Sequence, residues 1–203
     1  MTIHHSDPFA TPDEERSPVR RFRGRLPSPV TVWTAGRLPI GTADGSAPGP
    51  VGLTVSSLLV ADGDPGRVIG LIGDESELWT AIQDTGRFVV IQLGAADRQI
   101  ADRFAGLLPA PGGPFRSGTW TQSDYGPVPG DPATVPGDPA TVPGDAATVP
   151  GRESRTWAGC RLDSAHPYGW GLLVEASIEM INFGPAYDTL VHLGGRYRNV
   201  ATP

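Results

Sequence analysis

Apolar positions in this chain fall into short runs separated by Gly, Pro and Asp, and their period switches between two and three-to-four. Residues 30–34, Val-Thr-Val-Trp-Thr, are β-branched and aromatic and predict a first strand. A Gly- and Pro-rich loop follows at 36–50, then one continuous second strand at 51–61, a turn cluster at 62–66 and a third strand at 68–72. Residues 74–85 predict a helix. Asp74 stands at its N-cap with Glu77 three residues on, Leu78, Ala81 and Ile82 form its apolar stripe, and Gly86 stops it. A strand at 88–93 leads to a second helix at 96–105, with Ile100 and Phe104 on one face and Gly106 ending it.

The pattern resumes near the C-terminus. Residues 157–162 read as a half-buried strand and 163–169 as a turn or loop. Leu172, Val174, Ala176 and Ile178 then alternate with Glu175, Ser177 and Glu179, and 190–193 form a last short strand. Six or seven short, mostly antiparallel strands and two helices predict a mainly β fold with peripheral helices. A small barrel is the natural closure, because it removes exposed strand edges.

Two segments stand apart. Residues 1–18 are expected to be a flexible lead-in, followed at 19–25 by Arg20, Arg21, Arg23 and Arg25 in a possible short helix. That basic run reads as a solvated face in preference to a phosphate site. Gly130-Asp131-Pro132-Ala133-Thr134-Val135-Pro136 recurs as 137–143 and again as 144–150, with Ala146 replacing the Pro. Pro and Gly in every unit forbid a helix, and no apolar pair exists to form a coiled-coil seam. The tract reads as an extended, polyproline-like insertion at 127–151 within a domain spanning 19–200. A Pro-rich recognition site is the alternative.

Composition narrows the classes. The 203 residues suit one domain plus tails, and only 38% are hydrophobic because the chain holds 27 Gly and 22 Pro, many of them in the repeats. A net charge of −6 argues against nucleic acid as a partner. The single Cys160 excludes an intrachain disulfide and fits a reducing compartment. With no apolar leader and no run long enough to span a membrane, a cytoplasmic protein without a membrane partner is expected. None of the four His pairs with a Cys or carboxylate at metal-ligand spacing, so no metal site is expected.

Candidate chemistry centres on Gly52-Leu53-Thr54-Val55-Ser56-Ser57. Three hydroxyls on an apolar run can be local caps, or can join free backbone N–H groups in binding an anion or a cofactor's polar edge.

The order of the motifs resembles the flavin reductase-like family with the FMN-binding split barrel, whose members supply reduced flavin to two-component monooxygenases. The resemblance runs from the basic segment at 20–25 into 30–34, through 52–57, 76–82 and Gly86-Arg87-Phe88, to Asp102-Arg103-Phe104-Ala105-Gly106 and His192-Leu193-Gly194-Gly195-Arg196-Tyr197. It implies a homodimer with flavin at its interface, FMN or FAD as cofactor, NADH or NADPH as hydride donor, and a flavin-dependent monooxygenase as partner. It also implies site roles. Thr54, Val55, Ser56 and Ser57 would line the flavin, and Ser76, at a helix start, would meet phosphate with Arg103 adding charge. Phe104, Ala105 and Gly106 would lie near the dimethylbenzene side, and His192 and Tyr197 complete the set. Alternatives stand beside these: Ser76 as a cap, Phe104 as core, Arg103 as a solvated residue and His192 as a satisfied strand residue. Two departures bear on activity. Ile91 stands where such chains often carry Asn, and Trp170 and Gly171 stand where a His commonly lies near the nicotinamide, His166 falling a few residues too early. A binding protein that holds flavin without turning over NAD(P)H is therefore the second reading.

Overall fold

The computed structural model describes residues 17–39, 49–130, 155–185 and 188–201. The expected lead-in up to residue 16 and the repeat units from 131 to 150 lie outside the described residues. In chain order the elements are α1 (Pro18–Gly24), β1 (Ser28–Pro29), β2 (Thr31–Ala35), β3 (Val51–Val55), β4 (Leu58–Ala61) and β5 (Arg67–Ile72). They continue with α2 (Glu77–Thr85), β6 (Arg87–Gln92), α3 (Arg98–Phe104), β7 (Trp120–Gln122), β8 (Pro127–Pro129), β9 (Trp157–Tyr168), β10 (Gly171–Asn182), β11 (Thr189–Leu193) and β12 (Arg196–Val200). No helix among them is long and apolar enough to cross a membrane.

Seven strands form one antiparallel sheet in the order β3-β2-β6-β9-β10-β5-β4. β3 and β4 are consecutive in sequence yet occupy its opposite edges, with only Ser56 and Ser57 between them. Two residues cannot span an open seven-stranded sheet, since a strand pair alone occupies nearly 5 Å. The sheet must therefore curl until its edges meet, which makes it a split barrel. The expected single strand over 51–61 is thus two strands. The run pairs with β2 up to Val55, leaves the sheet at Ser56, and re-enters from Leu58 beside β5.

One face of the curled sheet closes on a core containing Trp33, Val55, Val68, Phe88, Cys160 and Val174, and α2 adds Leu78, Ala81 and Ile82 to it. Trp33 is fully buried, stacks on Phe88 with centroids 4.8 Å apart, and reaches across the interior to β5. A Cβ added at Gly70 would lie 2.5 Å from its ring. The opposite face carries Val32, Val89 and Ile91 into a second core with Ala101 and Phe104 of α3. All five residues of β2 are buried because both faces of that strand are covered. A smaller sheet, β1-β11-β12, and the β7-β8 pair flank this barrel.

Other boundaries also differ from expectation. The α2 N-cap is Ser76, whose Oγ accepts the Trp79 amide at 3.2 Å; Asp74 lies outside the helix, and Trp79 rather than an acidic residue occupies the third position. Gly86 ends α2 in the left-handed region, φ 67°, as expected. Residues 163–168 extend β9 instead of forming a loop. β6 pairs with β9 only as far as Arg161, and the Leu162 amide still donates to the Gly86 carbonyl; beyond that, among the described residues, β9 has one free edge, where polar side chains and the missing N–H of Pro167 are tolerated. After Gly194 and Gly195, both at positive φ, the chain turns into β12, a strand the short pattern at its end did not reveal.

Gly70→Ala should lower stability by about 2 kcal/mol through overpacking against Trp33, read by urea denaturation. Combined with Trp33→Phe, the two losses should be clearly less than additive; full additivity would show that the two residues do not share one space.

Candidate functional site

The seam where the sheet edges meet carries polar groups that the barrel does not use. Ser56 and Ser57 belong to no strand, and among the described residues neither backbone N–H donates to another backbone group. The Ser57 carbonyl accepts the Leu71 amide at 2.9 Å, which ties the seam to β5. Its hydroxyl accepts from Arg23 Nη2 at 3.1 Å. A hydroxyl that accepts from a guanidinium keeps its own proton for an acceptor elsewhere, so Ser57 and Arg23 together present donors.

Arg23 reaches this place because α1 is held at its C-terminal end. The Gly194 amide donates to the Gly24 carbonyl at 2.7 Å, and β1 pairs with β11 through Ser28 opposite His192. His192 and Tyr197 face each other across the β11–β12 hairpin with ring centroids 6.0 Å apart. Burial, and then the Arg23 charge, hold the His192 imidazole below its ordinary pKa, so it is neutral near pH 7. Burial, followed by the charge of Asp102 and its hydrogen bond, pushes the Tyr197 phenol up to about 12. Burial also raises Asp102, against the opposing effects of the Tyr197 hydrogen bond and Arg98. The structure therefore gathers Ser57, Arg23 and His192 at the seam, with Tyr197 and Asp102 joining the hairpin to α3.

The remaining site residues have other employment. The Thr54 hydroxyl donates to the Ala101 carbonyl at 2.6 Å and fastens α3 to β3. Val55 is buried in the inner core, and its carbonyl accepts from Thr31 Oγ1 at 2.6 Å. Ser76 caps α2, donating to the Gly73 carbonyl at 2.7 Å while accepting from Trp79. Gly73 directly follows β5, two residues past the seam contact at Leu71, so the α2 N-terminus opens at the same end of that strand. Phe104 is core: it meets Phe115 and Trp120 edge-on at 5.1 and 5.5 Å, and a Cβ at Gly52 would come within 2.6 Å of it. Ala105 and Gly106 are exposed where α3 ends. Arg103 sits on α3, on the opposite face of the sheet from α2 and Ser76, where it donates to Gln99 Oε1 at 3.4 Å.

Sequence reasoning passed over Arg23, one of four arginines read as a solvated face. Only the helix anchor at Gly24 selects it, and no local signal marks that. The departures are placed as well. Ile91 is buried in the outer core, away from the seam. Trp170 stands fully exposed at the tip of the β9–β10 hairpin, and His166 on β9 lies 3.9 Å from Glu175.

A family model described as flavin reductase like domain matches residues 23–201. The chain belongs to this family. Its fold agrees with solved structures of similar size. An NADH:FAD oxidoreductase of Streptomyces globisporus is 20% identical, with 96% of this chain and 98% of that chain covered and a TM-score of 0.67. The styrene monooxygenase flavin reductase of Pseudomonas putida S12 is 17% identical, with 92% and 99% covered and a TM-score of 0.66. A nitrilotriacetate monooxygenase component B homologue from Mycobacterium thermoresistibile is 22% identical, with 91% and 88% covered and a TM-score of 0.65. No curated protein sequence matches the chain. Within the flavin reductase-like family this chain has the split-barrel fold.

The depressed His192 pKa has a stability consequence. Below about pH 6.5 the unfolded chain gains a proton that folded His192 refuses, so stability falls as pH drops through this range. In Arg23→Gln, NMR titration of His192 should show its pKa moved upward; an unchanged value would separate Arg23 from the hairpin.

Proposed function

We propose that this chain is an NAD(P)H-dependent flavin reductase that binds FMN at the Ser56–Ser57 seam as a homodimer and supplies reduced flavin to a flavin-dependent monooxygenase. The observation that carries the reading is the seam itself: two backbone N–H groups without backbone partners, two hydroxyls and the Arg23 guanidinium, in a chain of the flavin reductase-like family. These donors fit the carbonyl- and nitrogen-rich edge of a flavin ring. The α2 N-terminus with Ser76 offers further N–H groups suited to a phosphate.

Leu59, Val60 and Leu71 are exposed beside the seam, and Val19, Phe22 and Leu26 are exposed on and just after α1. Exposed apolar side chains next to unpaired donors support a second copy covering this side, which would exclude water from the ring. Bound flavin would accept a hydride from the nicotinamide, a step whose chemistry belongs to the two cofactors. The chain's part is to bind, orient and shield, and the transfer itself requires no acid or base from the protein.

The names of several similar structures support this reading. One is the Streptomyces globisporus oxidoreductase in complex with NAD and FAD fragments, and another is the reductase component of a two-component tryptophan halogenase. The second reading, flavin binding without turnover, is favoured by Trp170 and Gly171 at the hairpin tip, where a nicotinamide-facing His is expected.

Purified protein should quench FMN fluorescence, and Ser57→Ala and Arg23→Gln should each weaken FMN about tenfold, a loss of about 1.4 kcal/mol. Anaerobic NADH or NADPH should bleach the bound flavin. Binding without bleaching selects the second reading, and no binding rejects both.

A further inference from the structure

The face of the sheet opposite the barrel interior holds a cavity that the proposed reductase activity does not use. Its inner chamber, about 120 Å³, has Val32, Ile91, Leu93, Ile100 and Trp120 as apolar walls and also takes in the polar Thr119 and Arg155. The Trp120 indole N–H is already spent on the Ser117 carbonyl at 3.0 Å, so that ring offers the chamber no donor. Past Ile100, Ser117, Gly118 and Arg155, which border both spaces, it adjoins a wider mouth of about 590 Å³ along α3.

The mouth is cationic. Arg98, Arg103 and Arg155 line it, against Asp97 as its acidic residue. Asp97 is already taken: it is buried, accepts the Gly94 amide at 2.9 Å and Arg155 Nε at 2.8 Å, and meets Arg155 Nη2 as well. Arg98 and Arg103 are held only loosely by hydrogen bonds, with the Asp102 carboxylate as the acidic group that acts on Arg98. Arg98 Nη2 lies 3.4 Å from the Tyr197 carbonyl and Arg103 Nη2 lies 3.4 Å from Gln99 Oε1, both beyond the usual 2.7–3.2 Å range of such bonds. Either guanidinium can exchange such a contact for a charge-assisted one at little cost.

We propose that this cavity binds a small organic carboxylate with a ring-sized apolar body: the body in the chamber, the carboxylate in the mouth that Arg98 and Arg103 line. The size fits, since a dry apolar cavity of about 150 Å³ takes up benzene, and this chamber opens into the mouth instead of being sealed. An anion without a body would leave the chamber unfilled, and a body without a charge would leave the arginines unengaged. Ile91 belongs to the apolar part of that lining.

The test uses the full chain, with benzoate as the probe and benzyl alcohol and inorganic phosphate as controls, followed by NMR or calorimetry. Benzoate should bind at least tenfold more tightly than either control. Arg98→Gln combined with Arg103→Gln, both outside the buried core, should reduce benzoate to the level of benzyl alcohol. Ile91→Phe should block benzoate by filling the chamber. Saturating FMN should leave benzoate binding unchanged, which keeps this site distinct from the seam and makes the test independent of whether the seam binds flavin. Equal binding of benzoate and benzyl alcohol, full benzoate affinity in the double Arg variant, or displacement of benzoate by FMN would each overturn the proposal.

Discussion

The contact between Trp33 and Gly70 is the constraint from which the rest of the molecule follows. An indole on β2 can meet β5, four places away in the sheet order, only if the sheet curls, and only a residue without a side chain leaves room for it. The arrangement carries a cost. Trp33 Nε1 is the one buried side-chain polar atom among the described residues with no hydrogen-bond partner, a penalty of roughly 1–3 kcal/mol. Stacking on Phe88 and burial of the whole ring offset it. Curling brings β3 beside β4, and among the described residues the N–H groups of the two serines that bridge them are left without a backbone partner. The seam is therefore not an addition to the barrel. It is the place where the barrel fails to close its own hydrogen bonds, and it exists because the interior is filled from one side by a large ring.

The same curl sorts the two helices. α2 seals the inner core, and its N-terminus opens at the end of β5 that the seam contacts, whereas α3 covers the outer face and is fastened there by Thr54 and Phe104. Packing on the outer face is less complete. α3 has only seven residues, and the loop carrying Phe115 and Trp120 must cover what it leaves. The cavity lies along that joint. One face of β2 thus serves a tightly filled core and the other a partly filled one, which is why its residues are all buried while their surroundings differ.

Much of this fold was legible in the pattern of residues. Period-two alternation in β10 and the 78-81-82 stripe of α2 report burial on one face, and a glycine forced into the left-handed region marks where α2 ends. The edge change at Ser56 was not legible, because residues on either side of it keep the composition of one strand; only the pairing partner changes, and pairing is a long-range property. Asp74 and Ser76 are both competent caps, and geometry rather than residue type chose between them. In the site, the hydroxyls of 54–57 look alike in sequence but divide in space: Thr54 is spent on α3, whereas Ser57 receives Arg23. Which of four arginines would turn to the seam depends on a backbone bond 170 residues away in the chain, between Gly194 and Gly24.

The charge distribution draws these points together. The chain carries a net charge of −6, and its long-range field repels anions. Yet both places that invite a ligand are locally cationic: Arg23 at the seam, Arg98 and Arg103 at the outer mouth. Neutral His192 adds nothing to the field at the seam, so the guanidinium sets its sign. Because screening confines the repulsive field to about 8 Å at physiological ionic strength, an anion that reaches either place is governed by the arginine it touches rather than by the protein's overall charge. Selectivity then depends on shape. The seam offers donors along an open edge, whereas the outer mouth offers guanidinium groups and adjoins a chamber about one ring across. The two places therefore differ in shape and not in the sign of their local charge.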